Sequence, residues 1–547
     1  MRFPDRVLAA TVVIAVACCV HGITVVHMHP DQMAFLPLFH PGKWPLNPAW
    51  FEKPPLVTYF NYFFSLLPIS LLGDVLGVSP DGVATAQRVW SRLLATALFA
   101  GSVGIVFTIA RQSFGTLAAR VIAVLLGTSA GFVAHTHHLT ADVPVTFCML
   151  LALYFCHRLL SHGARADYLR AGAFTGVATT TKYNGLGIGI ALVAAHALRV
   201  ALYTEPAGRW RRMLLSRDLM LGLAMVVVGF VVTNPYAVLD YQAFRDDFLY
   251  NYIVAPVYEG QTGHSWGQFF IAVMDIVGVP AFVLGVVTSV VAVALTVRGD
   301  LSRRERATVW LCLATFAVYY VKFASFPRLE TRFVLPIVPV WLLLSGPCWS
   351  RVRWRGGLTA VIVVVAAYNV VCSAWVGRRF LDDPRLAAHA WVEAHVSAGS
   401  PIESDVYSPM WNGIGGTPLP QTTMPFVTGR ERLFAWMFPG DEFVAGSEET
   451  RRAAEANVAW YAPAELAKRD PQLIAIDSLY YDRFLAPGIR SDLYPSMRDY
   501  FRALLDGRYS YAIVYDWASP PIPSWVYPRE IDFLRNRVTI LEKAGRG

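Results

Sequence analysis

Three charged residues that could take part in catalysis follow the first apolar segment of the chain. Asp31, Glu52 and Lys53 stand in a stretch from His27 to Tyr59 that is rich in proline and aromatic residues. A carboxylate can take a proton from an attacking hydroxyl, and an ammonium group can neutralise a departing phosphate. These residue types beside a membrane face predict chemistry on a substrate that is carried by a lipid.

The composition is that of a polytopic membrane protein. Of the 547 residues, 55% are hydrophobic and 16% are charged, whereas a soluble domain carries about 25% charged residues. The net charge of +8 does not indicate nucleic-acid binding, because the arginines lie in short loops between apolar segments, where they set topology. The seven cysteines lie inside apolar segments without a CxxC pair, so neither disulfides nor a cysteine-bound metal is expected.

Eleven apolar segments predict membrane-crossing helices, so the expected fold class is a mainly α-helical, polytopic membrane protein. The first, from Val7 to Val26, has 20 residues. A cleaved signal peptide ending near Ala17 is the alternative for it, and the many later spans favour a retained helix. The other ten are Thr85 to Ala110, Val121 to Ala134, Val143 to Leu160, Ala171 to Thr181, Gly185 to Tyr203, Leu219 to Thr233, Phe269 to Val297, Ala307 to Val321, Phe333 to Pro347 and Leu358 to Val376.

Arginines cluster in alternate loops between these spans. The positive-inside rule makes such loops cytoplasmic, so the N-terminus is predicted inside and the C-terminal region outside. Arg88 and Arg92 fall near an outer boundary against this rule, and contact with lipid head groups or a substrate phosphate is expected there. The clusters are Arg158, Arg165 and Arg170; Arg209, Arg211, Arg212 and Arg217; Arg298, Arg303, Arg304 and Arg306; and Arg351, Arg353 and Arg355.

The apolar segment from Leu56 to Val78 is not counted as a crossing. Pro68, Gly73 and Asp74 interrupt it, and one more crossing would place every arginine loop outside. We predict that it lies along the outer interface. The membrane domain is therefore assigned to residues 1–376, with a first outer loop over residues 27–84.

Residues 377–547 have the composition of a soluble domain and predict a small α/β domain on the outer face. Three apolar runs predict strands, namely Leu473 to Tyr481, Tyr509 to Trp517 and Arg537 to Lys543. Three further segments predict helices, namely Asp383 to Val396, Glu448 to Ala456 and Pro495 to Leu505.

A second acid and a second lysine are expected on the same outer face. Asp142 begins one span and Lys182 follows the end of another. The plainer interpretation makes Asp31 and Asp142 helix caps and lets Lys182 extend to the interface. The predicted position of these residues on the same face as Lys53 favours a substrate-binding site. Burying Lys182 at the end of an apolar helix is costly unless its ammonium group meets water or an anion.

Several motifs occur in the order found in one family. They are HPDQ at His29 to Gln32, FEKPPL at Phe51 to Leu56, LTADVPVTF at Leu139 to Phe147, TTKYNG at Thr180 to Gly185, TNPY at Thr233 to Tyr236 and RFVLPIVP at Arg332 to Pro339. The chain thus resembles the GT-C membrane glycosyltransferases, in particular the protein O-mannosyltransferase and aminoarabinose-transferase-like group. The tail from Asp382 to His395 resembles the outer domain of bacterial members.

The resemblance implies transfer of a sugar from a polyprenyl-phosphate donor to an acceptor hydroxyl, with inversion. It implies that Asp31 is the base and that Asp142 orients the acceptor or supports Asp31. Lys53, Lys182 and Arg332 would contact the phosphate, and Glu52 would position Lys53 or contact the sugar. Gln32 stands where many relatives have an acid, which weakens a two-carboxylate metal site but leaves a single base intact.

No cofactor is expected to be required. A divalent cation held by Asp31 with nearby histidines is a less favoured alternative; those histidines are His27, His29, His135, His137 and His138. The expected partners are the lipid donor, membrane lipids and an acceptor protein, lipid or glycan, in a bacterial inner membrane. The functional alternative is a secondary transporter or lipid-sugar flippase, although the sequence contains no repeated halves.

Overall fold

A computed structural model describes residues 5–24, 38, 42–203, 209–253, 264–327, 329–408, 419–425, 448–485, 495–518 and 536–544. Within these ranges a bundle of apolar helices is followed by a small sheet domain. The bundle helices are Arg6–Val20, Leu56–Leu76, Pro80–Phe114, Thr116–Gly127, Ala130–His138, Asp142–His162, Arg165–Thr181, Gly189–Tyr203, Arg209–Leu214, Arg217–Thr233, Tyr236–Leu239, Tyr241–Ile253, Trp266–Val277, Val279–Arg298, Arg303–Ala324, Thr331–Val334, Val338–Leu344, Gly346–Arg351 and Arg355–Leu381.

Nine helices of the described residues are long and apolar enough to cross a membrane. The number becomes ten if the bent pair Thr116–Gly127 and Ala130–His138 forms one span. Each of the eleven predicted segments overlaps a helix, but Arg6–Val20 and Arg165–Thr181 are short, with 15 and 17 residues. Helix Leu56–Leu76 has the length and hydropathy of a membrane-crossing helix, although the sequence predicts that this segment lies along the outer interface.

One predicted crossing is divided in two. In place of a single helix from Phe269 to Val297, the chain forms Trp266–Val277 and Val279–Arg298. Gly278 joins them with a φ of +83°, and a Cβ atom there would lie 2.4 Å from Oδ1 of Asn369. Since only glycine tolerates both this backbone conformation and this close approach, the helix breaks at this position.

Helix Leu56–Leu76 packs against the first turns of Pro80–Phe114. The Ser65 hydroxyl lies 2.9 Å from that of Ser91, and the Trp90 indole donates to the carbonyl of Phe64 (2.8 Å). Ser91 also donates to Oδ1 of Asn61 (2.5 Å), whereas Gln87, earlier in its helix, donates to the later Ser70 hydroxyl (2.8 Å), so the helices form an antiparallel hairpin.

This hairpin lies beyond the layer that the other helices span. Arg92 donates to the carbonyls of His137 (3.1 Å) and Ile23 (2.6 Å), at one end of the bundle. Ser113 contacts Thr308 (3.0 Å) at the other end. The helix rises about 32 Å from Arg92 to Ser113, which matches a membrane core. Helix Leu56–Leu76 packs against the part of Pro80–Phe114 that precedes Arg92. This favours the prediction that it lies along the outer interface.

The expected contact of Arg92 with lipid head groups is not found. Its side chain is 1% exposed and is satisfied by backbone carbonyls, so it does not face lipid head groups. It ties the helix Pro80–Phe114 to two neighbouring segments at the end of the bundle.

Two parallel helices approach each other closely through small residues. In Arg165–Thr181, a Cβ atom on Gly172 would lie 1.9 Å from the carbonyl oxygen of Gly222. Further along, the Thr180 and Thr233 hydroxyls lie 2.6 Å apart. Small residues let two backbones approach, as is common in membrane helices. Both helices therefore end on the same side of the bundle, next to Lys182.

The C-terminal domain contains a five-stranded mixed sheet, whose strands 1 to 5 in chain order are Ile402–Ser404, Gln421–Thr423, Leu473–Asp477, Tyr511–Ala518 and Arg537–Lys543. Their order across the sheet is 2-1-3-5-4. Strand 1 pairs in parallel with strands 2 and 3, while strand 5 pairs antiparallel with strands 3 and 4. The helices of this domain are Pro384–His395, Glu448–Ala459, Pro463–Arg469, Ser478–Leu485 and Pro495–Leu505.

The predicted α/β character of this region is confirmed, with one change. The strand expected from Leu473 to Tyr481 ends at Asp477, and a helix from Ser478 to Leu485 follows at once. The helix buries Tyr480 and Tyr481 on its own apolar face, so the apolar run serves two elements. Helix Arg355–Leu381 leads from the bundle into this domain.

Candidate active site

A buried ion pair lies at the end of the bundle away from the arginine loops. Nζ of Lys182 is 2.6 Å from Oδ1 of Asp142, and the Thr140 hydroxyl donates to the other carboxylate oxygen (2.7 Å). The Asp142 side chain is 1% exposed, while that of Lys182 is 23% exposed. The lysine side chain is thus partly exposed, and the aspartate holds its ammonium group in place.

A second ion pair lies across an aromatic ring from the first. Arg332 pairs with Glu330, and both side chains are largely buried. Nζ of Lys182 lies 4.9 Å from the centre of the Phe333 ring, and the Arg332 guanidinium carbon lies 5.6 Å from it. Two cations therefore share one aromatic ring, and each is compensated by its own carboxylate.

The segment that carries Glu52 and Lys53 is held against this region at both ends. The Tyr183 hydroxyl donates to the carbonyl of Phe51 (2.7 Å), and Tyr183 directly follows Lys182. At the other end, Val57 packs on Ala141, next to Asp142. Glu52 and Lys53 lie between these anchors.

A helix in a later loop also fixes this segment. The Phe51 amide donates to Oδ2 of Asp247 in the helix Tyr241–Ile253 (2.6 Å). The Phe51 ring is fully buried and meets Phe244 edge to face, with 5.9 Å between ring centres. Phe51 therefore acts as the anchor of the first outer loop.

Further bonds tie the start of this loop to the TNPY motif. The Tyr236 hydroxyl donates to the carbonyl of Pro45 (2.5 Å). Lys43 and Asn47 both donate to Oδ2 of Asp240 (2.8 Å each). These hydrogen bonds, led by that from Lys43, lower the pKa of Asp240 below its ordinary value. Residues 43–47 and 236–240, far apart in sequence, are thus held together.

The predicted site residues are brought together in part. Asp142 and Lys182 are in direct contact, Arg332 shares Phe333 with Lys182, and Glu52 and Lys53 lie on the anchored segment. Lys53 also lies 5.7 Å from the centre of the Trp50 ring. Asp31 lies outside the described residues, so its assignment as the base stays a prediction.

Sequence reasoning missed several residues that build this region. They are Thr140, Tyr183, Asp240, Asp247 and Glu330. Thr140 and Tyr183 flank predicted site residues, which is a local signal. Asp240 and Asp247 carried no such signal, because their partners are about two hundred residues away in sequence.

Three buried polar side chains nearby have no hydrogen-bond partner within the described part of the chain. They are His135, Asn184 and Asn234, and in each case both side-chain polar atoms are unpartnered. Buried polar groups are almost always hydrogen-bonded in folded proteins. Such groups near a candidate site therefore indicate that something else binds there.

Two buried aspartates lie in the sheet domain. The Asp477 amide donates to Oδ2 of Asp405 (2.5 Å). Arg385, which pairs with Asp383 (2.6 Å), is within electrostatic range of both acids and of His138 in the bundle. Burial raises the pKa of each carboxyl above its ordinary value, and repulsion by Asp405 raises that of Asp477 further, although Arg385 lowers it.

Among the described residues, no group of three histidine, cysteine, aspartate or glutamate side chains could hold a metal ion. Two histidines of the alternative metal site, His27 and His29, lie outside these residues together with Asp31. The divalent-cation alternative therefore stays a prediction.

Residues 83–236 match the family model of the dolichyl-phosphate-mannose-protein mannosyltransferases. A comparison of the sequence with curated proteins finds no match. The matched range includes Asp142 and Lys182, whereas Glu52, Lys53 and Arg332 lie outside it.

Three solved structures similar to this chain belong to two proteins. Ligand-free ArnT from Cupriavidus metallidurans is 15% identical, with a TM-score of 0.52, and 97% of each chain is covered. The same protein bound to undecaprenyl phosphate is 16% identical, with a TM-score of 0.50 and the same coverage. The oligosaccharyltransferase AglB from Archaeoglobus fulgidus, in complex with an inhibitory peptide and a dolichol-phosphate, is 12% identical, with a TM-score of 0.45; the alignment covers 94% of this chain and 79% of that one.

Proposed function

We propose, on the premise that this integral membrane protein has the GT-C glycosyltransferase fold, that it transfers a sugar from a polyprenyl-phosphate donor to an acceptor hydroxyl. The observation that carries the proposal is the buried Asp142–Lys182 pair, with the Glu52 and Lys53 segment anchored beside it. The ArnT structure with bound undecaprenyl phosphate supports a lipid-phosphate ligand for this fold.

The reaction breaks the bond between the anomeric carbon and the phosphate oxygen. The electron pair leaves with that oxygen, and polyprenyl phosphate is released. The acceptor oxygen forms the new bond from the opposite face, so that the configuration inverts. Its proton passes to Asp31, the proposed base.

Lys182 is proposed to stabilise the charge on the departing phosphate. An ammonium group has three N–H donors, and one of them is directed at Asp142. The others remain for an anion at the partly exposed side of the lysine. Asp142 then acts as a positioning residue, because its side chain is buried and is bound by Lys182 and Thr140. Lys53 and Arg332 are proposed to add positive charge, and Glu52 to orient Lys53 or the sugar.

The site is proposed to open on the outer side of a bacterial inner membrane. The loops with most arginines lie at the opposite end of the bundle from Asp142 and Lys182, which supports this orientation through the positive-inside rule. The acceptor, a protein, lipid or glycan, would approach between the bundle and the sheet domain.

The test uses the full-length protein in nanodiscs with undecaprenyl phosphate that carries labelled mannose, glucose or aminoarabinose. The wild-type protein is expected to cleave the sugar–phosphate bond of at least one donor, by transfer to an envelope extract or by slow hydrolysis. Asp31→Asn should lower this rate at least about 100-fold, as for loss of a general base. It should still bind undecaprenyl phosphate.

Asp74→Asn is the matched control, since Asp74 is an exposed acid on the hairpin. It should leave the rate unchanged. An active Asp31→Asn protein would remove Asp31 as the base. Movement of the labelled lipid across liposomes by the wild-type protein, without cleavage, would instead support a transporter or flippase.

A further inference from the structure

His135 has a side chain whose partners the fold does not supply. The residue is 1% exposed, and neither ring nitrogen has a hydrogen-bond partner among the residues that the structure describes. A buried donor or acceptor without a partner costs about 1–3 kcal/mol. An imidazole that is retained at this cost is expected to meet a partner when a ligand binds.

His137, in the same helix, shows what a structural histidine looks like here. Its ring nitrogens lie 2.8 Å from the carbonyl oxygen of Val133 and 2.9 Å from that of His21. Its ring also stacks on Phe380, with 4.5 Å between ring centres. Packing on Phe380 and a hydrogen bond from the ring N–H to a backbone carbonyl therefore explain His137, but no such contacts among the described residues explain His135.

Among the described residues, the charges within electrostatic range of His135 balance. The ring is within electrostatic range of Asp142, Lys182, Glu330 and Arg332. These are the two ion pairs that share the ring of Phe333, so the surroundings contain two cations and two anions. Such surroundings suit an uncharged polar ligand group better than a second phosphate contact.

We infer that His135 is a substrate-binding residue that contacts hydroxyl groups on the sugar ring of the lipid-phosphate donor. A neutral imidazole has one N–H donor and one bare nitrogen acceptor. Adjacent sugar hydroxyls can satisfy both nitrogens, because each hydroxyl donates and accepts. A phosphodiester has no hydrogen to donate and would leave one nitrogen unpaired. The inference rests on the proposed function, and it adds that the sugar lies on the His135 side of the Asp142–Lys182 pair.

The sugar reaches the ring only when the side chains that cover it move. The inference therefore includes a small repacking around His135 on binding. His135 and His138, whose ring centres are 5.5 Å apart, would separate or rotate in that step.

The experiment compares two ligands that differ only in the sugar. Affinities of undecaprenyl phosphate and of undecaprenyl phosphate carrying mannose or glucose are measured on the full-length protein in nanodiscs. His135→Phe keeps an aromatic ring but has no hydrogen-bonding atom. It should weaken binding of the preferred sugar-charged lipid about 10- to 100-fold and change binding of undecaprenyl phosphate less than about twofold.

Two further variants make the result specific. His135→Gln keeps one donor and one acceptor, so it should recover part of the lost affinity. His137→Gln, the matched control, should leave the difference between the two ligands unchanged. Thermal unfolding of each variant checks that it is folded, and His135→Gln serves as the test if His135→Phe does not fold.

Three outcomes would overturn the inference. Equal weakening of both ligands in a folded variant would assign His135 to the phosphate. No change with either ligand would make His135 an ordinary core residue or a partner of bound water. The inference would also be refuted if the wild-type protein bound undecaprenyl phosphate and the sugar-charged lipids with equal affinity. Failure of the wild-type protein to bind undecaprenyl phosphate at all would instead count against the proposed function.

Discussion

Asp142 and Lys182 depend on each other for their burial. A charged side chain that leaves water pays a large desolvation cost, and the partner charge returns much of it only when the two are in contact. The 2.6 Å contact and the bond from Thr140 meet this condition. The pair therefore fixes the position of an ammonium group without a flexible loop.

Replacing one residue of this pair should destabilise the protein more than replacing both. Lys182→Met should lower the free energy of unfolding by about 3–5 kcal/mol, because it leaves the buried Asp142 carboxylate without its partner. Asp142→Asn should lower it by less, because the Lys182 side chain is partly exposed. The double variant should be more stable than either single variant. Denaturant unfolding of the purified proteins measures this cycle.

An exposed pair provides the comparison for this cycle. Lys468 pairs with Glu465 at the surface of the sheet domain, at 2.6 Å, with 70% of the lysine side chain exposed. Lys468→Met should cause almost no change, since exposed pairs contribute little. If the double variant at Asp142 and Lys182 were less stable than both single variants, the two side chains would not be acting as a compensated pair.

The two buried acids of the sheet domain predict a pH dependence of its stability. The pKa values of Asp405 and Asp477 are raised in the folded state above the ordinary 3.8. The folded domain then binds protons that the unfolded chain has released, so stability falls as pH rises above about 4 and continues to fall until both carboxyls are ionised. Asp477→Asn should flatten this slope.

Hydrogen exchange in the strand Leu473–Asp477, corrected for intrinsic rates, measures the effect within the full chain. Protection of this strand should decrease as pH rises, and it should decrease less in Asp477→Asn. Asp506→Asn, at an exposed acid paired with Arg508, should follow the wild-type profile. Protection that increases with pH in the wild-type protein would contradict the raised pKa values.

At the scale of elements, close packing of two helices sets the position of Lys182. Arg165–Thr181 and Arg217–Thr233 run parallel and approach through glycines. A Cβ atom on Gly176 would lie 2.3 Å from the carbonyl oxygen of Val226. The lysine follows the last turn of the first helix directly. Any separation of the helices would therefore shift its ammonium group away from Asp142.

A methyl group at Gly176 tests this link. Gly176→Ala should force the helices apart and lower the unfolding free energy by about 1–3 kcal/mol, as for overpacking. It should also reduce sugar transfer, because Lys182 would move. Gly104→Ala is the control, since a Cβ atom at Gly104, also within a helix, would meet nothing within 4 Å. Equal behaviour of the two variants in unfolding and transfer assays would refute this role of the close approach.

At the scale of the whole molecule, the bundle has two chemically different ends. One end holds the Arg120–Asp5 pair (2.9 Å) together with the Arg351–Glu305 pair (2.9 Å). The other end holds the Asp142–Lys182 pair and leads into the sheet domain. The hairpin projects from this second end, with exposed apolar side chains such as Leu71 and Val75. Such a surface suits the membrane interface.

Labelling with a membrane-impermeant maleimide tests this orientation. In a variant whose seven native cysteines are replaced, Ser79→Cys at the hairpin turn should react in spheroplasts, which expose the outer face of the inner membrane. Ser161→Cys, at the arginine-rich end, should react only after permeabilisation. The reverse pattern would mean that the bundle is inverted. An extra crossing by Leu56–Leu76 would also give this reverse pattern, because it would place the arginine loops outside.

The sequence by itself determined the membrane class, the positions of the apolar segments and the presence of a sheet domain in the C-terminal region. Hydropathy, arginine placement and strand patterns are local properties, and the structure contains a helix at each predicted span and strands in the predicted tail. The similarity to the GT-C glycosyltransferases was also visible from the order of short motifs, and the fold confirms it.

Only the tertiary structure decided which charged groups meet. Lys182 is bound to Asp142 and Arg332 to Glu330, and Phe51 is anchored by Asp247. No local pattern encodes these contacts, because they depend on how helices distant in sequence pack and on which buried groups then need a partner. The break at Gly278 also depends on tertiary packing. The apolar run around it is continuous in sequence, but in the fold its backbone lies against the side chain of Asn369 in another helix.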